Sequence, residues 1–181
     1  MSYLRDPVTE RARTEGSEYQ VGRAEPAAAR RPPNPRSTAS IAGHPIHPML
    51  VTIPIGLWIF SLVCDLIHVG GNANPVWTTI AFYTLCGGIV GALLAAVPGL
   101  IDLVSLPAGP RVTALTHMGI NLTVVALYVV NAWMRSGSPE KPGNLVWLSL
   151  VSVLLLACSG WLGGKMVFEY GIGVNTDGPT R

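Results

Sequence analysis

Residues 76–101 read VWTTIAFYTLCGGIVGALLAAVPGLI and contain no charged side chain. A helix rises 1.5 Å per residue, and about 20 apolar residues cross the hydrocarbon core of a bilayer. The stretch is long enough to do so. Inside lipid the backbone must satisfy its own hydrogen bonds, so it reads as a helix and not a strand. Three further stretches meet the same length: 48–68 (PMLVTIPIGLWIFSLVCDLIH), 112–134 (VTALTHMGINLTVVALYVVNAWM) and 144–167 (NLVWLSLVSVLLLACSGWLGGKMV). The connections VGGNAN, DLVSLPAGPR and RSGSPEKPGN are short, which forces neighbouring helices antiparallel. The fold class expected is an all-α integral membrane protein, a four-helix up-down transmembrane bundle spanning residues 41–168.

Composition agrees. The 181 residues are 49% hydrophobic and 12% charged, with a net charge of +2. Soluble domains carry about 25% charged residues. A charge this small implies no nucleic-acid partner. Residues 1–40 are rich in Arg, Glu, Pro and Ala without apolar periodicity. They read as a disordered tail that cannot offset its own ordering entropy. Residues 169–181 form a short C-terminal tail. The tail arginines Arg30, Arg31 and Arg36, with Arg111 and Lys165, outweigh Arg135 and Lys141 on the other side. By the positive-inside rule both termini face the cytoplasm. Cys64, Cys86 and Cys158 lie in separate apolar runs, which excludes a Cys-x-x-Cys site.

Within 76–101, Gly87, Gly91, Ala95 and Gly99 recur every four residues. Such a stripe lets another helix approach closely. It reads as a contact within the bundle, or as a face for a homodimer or a partner subunit. Pro54 and Pro98 each remove a helix hydrogen bond.

The candidate chemistry lies at one end. His44 and His47 each precede a proline, which favours extended backbone. In polyproline geometry they would project from one side, about 9 Å apart. Asp102 ends the second helix, and His117 lies five residues into the third, about 8 Å. Lys165 and Glu169 end the fourth. Asp65 and His68 occupy the opposite end, where Asp65 reads as a structural group that snorkels or pairs with His68. Three readings of the histidines stay open: interfacial groups bonded to Asp102 or to helix-end carbonyls; axial ligands of haem b, with His117 on one side and His47 or His44 on the other; and a divalent-metal or proton-relay site with Asp102. No triad and no paired carboxylates point to a stand-alone enzyme.

The blocks GHPIHPMLVTIPIGLW (43–58), GLIDL (99–103), His117 early in the third helix and SGWLGGKMVFEYGIGV (159–174) resemble the bacterial membrane family catalogued as domain of unknown function 2231. The resemblance covers about residues 40–174. It implies four transmembrane helices in a bacterial plasma membrane and no established activity. Some relatives look associated with Rieske iron–sulfur or other redox modules, which favours the haem reading by analogy. The family's histidines fall on His44, His47 and His117, and its helix-two acid on Asp102. The chain departs at Thr52 and Tyr170, where histidine is common. The functional expectation is a haem-b-binding or electron-transfer accessory subunit. The alternatives are a cofactor-free assembly partner of a larger membrane complex, and a proton or metal-ion permease.

Overall fold

The computed structural model describes residues 34–138, 143 and 145–174. Most of the expected N-terminal tail (1–33) and the end of the C-terminal one (175–181) lie outside the described residues. The elements are β1 (Ser40–Ile41), β2 (His44–Pro45), α1 (Ile46–Leu50), α2 (Thr52–Val69), α3 (Val76–Ser105), α4 (Ala108–Arg135) and α5 (Leu145–Phe168). Among the described residues, four spans are long and apolar enough to cross a membrane: Ile46–Val69, Val76–Ser105, Ala108–Arg135 and Leu145–Phe168.

The first span is α1 and α2 in succession. Pro54 has no N–H, so the carbonyl of Leu50 loses its i+4 partner. The helix breaks there, with Val51 between the two segments. The first span starts at Ile46 and not at 48, because Pro48 sits in the first turn, where its missing N–H would have had no partner. The third span starts four residues earlier than expected, at Ala108.

His44 does not lie in a polyproline segment with His47. β1 and β2 pair antiparallel, Ser40 with Pro45 and Ile41 with His44. The two-residue turn between them places Ala42 at φ 50° and Gly43 at φ 79°, the left-handed pair that tight hairpins require. The strand ends at Pro45 and the helix begins, so the two histidines stand on different elements.

Helices pack in the order first–second–third–fourth, closing fourth to first; the first and third spans lie across the diagonal. The core contains Trp58, Leu85, Val124, Tyr128 and Leu156. Trp58 and Tyr128, from the diagonal spans, stack at 4.4 Å between ring centroids and 11° between planes. The indole nitrogen of Trp58 donates to Leu85 O at 3.2 Å. Large apolar side chains such as Val90, Leu94, Val97 and Trp161 are exposed around the outside, as lipid contact demands.

The small-residue stripe of the second span is covered by the first. A Cβ on Gly91 would meet Ile53 and Pro54, one on Gly87 would meet Leu57, and one on Gly99 would meet His47. The stripe therefore serves an intramolecular contact, and the partner face expected of it is occupied. Lipid tails give no hydrophobic drive between helices, so this close van der Waals fit carries the association. Gly88 is the tightest point, since a Cβ there would overlap the Trp58 indole. Gly88→Val is expected to push Trp58 off Tyr128. Overpacking costs about 1–3 kcal/mol. Thermal unfolding in detergent, with tryptophan fluorescence as the second readout, checks it. A variant as stable as the parent, with an unshifted emission maximum, would contradict the packing described.

Candidate functional site

The interhelical contacts repeat with a fixed offset. His47, Trp58 and Asp65 of the first span each face the residue 70 positions later in the third: His117, Tyr128 and Arg135. The second and fourth spans repeat at an offset of 64. His47 Nδ1 meets Ala95 O at 2.8 Å, and His117 Nδ1 meets Ser159 O at 2.9 Å. His47 packs on Gly99 and His117 on Gly163. Near the opposite end, Ser61 Oγ donates to Ala81 O and Asn131 Nδ2 to Leu145 O. The bundle is thus two like helical hairpins about an approximate twofold axis. Three layers lie on that axis: an imidazole pair, an aromatic pair and an ion pair.

The imidazole layer is the candidate site. The rings of His47 and His117 lie 6.4 Å apart between centroids at an interplanar angle of 89°. Both are half-buried. A backbone carbonyl can only accept, so each Nδ1 carries the proton and each Nε2 keeps its lone pair. This is the arrangement that orients a metal-ligating imidazole. The two sides differ at two contacts. Ser159 Oγ lies 2.9 Å from His117 Nδ1, where the matching Ala95 has no hydroxyl. Asn121 Nδ2 lies 3.0 Å from His117 Nε2, 2.9 Å from His117 O and 2.7 Å from Ser159 Oγ, so its two hydrogens are shared among three acceptors. The matching position in the first span is Val51, and it offers no such cap to His47.

Of the four residues expected to form the site, the structure brings together two. His44 is exposed, and its Nδ1 bonds only to Ala42 O, at 3.1 Å. Asp102 binds the segment before the membrane. It accepts from Ser37 Oγ at 3.0 and 2.9 Å and from Ala39 N at 2.9 Å. Residues 34–40 are fixed there, with Gly173 N donating to Pro35 O and Asn34 Nδ2 to Val174 O. Lys165 and Glu169 pair with each other at 3.5 Å on the surface. Thr52, where the resemblance leads one to expect a histidine, is exposed and donates to Met49 O. His117 lies nine residues into its helix, about 14 Å, deeper than expected because α4 begins at Ala108.

Sequence reasoning missed the ion pair. Arg135, counted as a loop charge, is 1% exposed, and Asp65 is fully buried. Arg135 Nη1 and Nη2 donate to Asp65 Oδ1 and Oδ2 at 2.8 and 2.7 Å, and its Nε donates to Asn131 Oδ1 at 2.7 Å. Asp65 is therefore bound to the third span and not to His68. Among the described residues no group of three or more His, Cys, Asp or Glu is gathered to hold a metal ion.

A haem asks for less, since the porphyrin supplies four ligands and the protein one or two. Two metal–imidazole bonds of about 2 Å each, with the ring radius added on either side, place the centroids roughly 6 Å apart. The observed centroid separation of 6.4 Å matches that distance. The Asn121 amide has two other acceptors, so releasing Nε2 would not orphan it.

Residues 43–176 match the sequence model of a family described as "Predicted membrane protein (DUF2231)". No curated protein and no solved structure matches the chain. The match takes in both facing histidines, Asp102, all four apolar spans and the glycine-rich turn after the last of them, and the chain accordingly belongs to the DUF2231 family of multi-pass membrane proteins.

Proposed function

We propose that this protein binds haem b between His47 and His117 and serves as an electron-transfer accessory subunit of a bacterial plasma membrane. The observation that carries the reading is the facing imidazole pair, with both Nδ1–H groups tied to backbone carbonyls. His47 and His117 would hold the iron. Ala95 O and Ser159 O fix the ring orientations and raise ligand basicity. Gly99 and Gly163 give the rings room against the second and fourth spans. A haem held there would supply one-electron transfer without bond rearrangement. The arginines of the N-terminal region favour the cytoplasmic face for this end; removing Arg135 from the opposite loop's count strengthens that bias. A redox protein docking at that face would be the exchange partner.

The permease alternative needs a polar path through the bundle. Among the described residues, Trp58, Leu85, Val124 and Leu156 pack together between the histidines and the ion pair, and the one serine at that level, Ser152, bonds back to Leu148 O, which disfavours such a path.

The test is an absorption spectrum of protein purified in mild detergent from haem-replete cells, oxidised and then reduced with dithionite. A Soret band with sharp α and β bands on reduction is expected. A flat visible spectrum, unchanged by added haem, would overturn the reading.

A further inference from the structure

The ion-pair layer at the other end is not fully satisfied. A guanidinium has five N–H donors and a carboxylate about four acceptor positions. Arg135 uses one on each nitrogen, and Asp65 accepts twice. Two N–H groups and about two acceptor positions are left, with both side chains 0% exposed. Two more buried atoms have no hydrogen-bond partner among the described residues: the Tyr128 hydroxyl and His68 Nδ1. Tyr128 is itself fully buried, and it stands one helical turn before Asn131, whose Oδ1 accepts from Arg135. His68 stands three residues after Asp65, on the same helix face, and its ring is otherwise half-exposed.

So many unused donors and acceptors around one buried pair do not persist dry, since each orphaned group costs about 1–3 kcal/mol. We propose that Asp65, Arg135, Tyr128 and His68 wall a second site, at the end opposite the histidine pair, which binds water or another neutral hydrogen-bonding molecule of that size. Charge selects the ligand class. The carboxylate and guanidinium neutralise each other, so an ion of either sign would meet as much repulsion as attraction. A neutral molecule that both donates and accepts meets a partner for each of its groups, and a buried water needs two to four of them. His68, buried at Nδ1 and exposed elsewhere, connects the site to the adjoining face. On the other side the apolar layer of Trp58, Leu85, Val124 and Leu156 closes it. The site is a one-sided vestibule, independent of whether haem binds at the far end.

X-ray radiolytic labelling in ¹⁸O-water, with the protein in lipid nanodiscs, tests it. Radicals form from bound water in place. Trp58 is the internal control: it is 2% exposed, stacked on Tyr128 and hydrogen-bonded through its indole. Tyr128 is expected to take up label several-fold more than Trp58, although the indole is the more reactive ring. Tyr128→Phe separates a bonded hydroxyl from an orphaned one. Removing a hydroxyl that holds water lowers Tm; removing one left dry raises it. A lower Tm is expected. Labelling of Tyr128 no greater than that of Trp58, or a phenylalanine variant at least as stable as the parent, would overturn the proposal.

Discussion

Arg135→Met is expected to be the most destabilising single substitution in the described part of the chain. It leaves the Asp65 carboxylate fully buried with its only strong partner gone. It also strips Asn131 Oδ1 of the donor it now accepts from. Breaking a buried pair by removing one member costs about 3–5 kcal/mol. For a chain of this size that corresponds to a fall in Tm on the order of 10 °C. The double variant Asp65→Leu with Arg135→Met should recover most of the loss, because an apolar pair of similar volume avoids the desolvation penalty that the ions carry. Thermal unfolding in detergent reads all three proteins. A single variant as stable as the parent, or a double variant worse than the single, would show that the pair does not join the first and third spans as described.

That ion pair marks where sequence reading stopped. The spans were legible because length and apolarity act locally: every 20-residue uncharged run must become a helix in lipid, whatever it packs against. The glycine stripe of 87–99 was legible for the same reason, as a pattern on one face of one helix. Its occupant was not. Whether a partner or the chain's own first span covers it depends on register between helices, which no local period encodes. Asp65 and Arg135 are 70 residues apart, and each alone looks like an end-of-helix charge. His47 and His117 read from sequence as polar groups at one end, and so do His44 and Asp102. The turn at Ala42–Gly43 and the anchoring of Ser37 and Ala39 by Asp102 separate the four, and neither is written in residue type. The fixed offset of 70 becomes meaningful only once the first pair is known to touch. It then relates the three layers to one another.

The twofold arrangement sharpens the largest effect expected on cofactor binding. If His47 and His117 are equivalent ligands about the axis, His47→Ala and His117→Ala should each convert a six-coordinate spectrum with sharp reduced bands into a broadened one. Each should also reduce the haem retained through purification. Loss of an outer-shell partner alone weakens a metal site by about 10–100-fold, so loss of a ligand should do at least as much, and the double variant should carry no pigment. The matching controls are His44→Ala and Thr52→Ala. His44 bonds only to its own turn, and Thr52 faces outward; both should leave the spectrum as it is. Asn121 separates the two sides. It caps His117 Nε2, while Val51 leaves His47 open. Haem entering from the His47 side would therefore bind in two steps, with the second waiting on the amide. Rapid-mixing absorbance of cofactor-free protein with haem should show two phases, of which Asn121→Val, the residue found at the equivalent position of the other hairpin, removes the slower. A single phase in the parent protein, or an unchanged slow phase in the variant, would mean that the cap does not gate the ligand. Retention of pigment by His117→Ala together with its loss in His44→Ala would move the site away from the axis altogether.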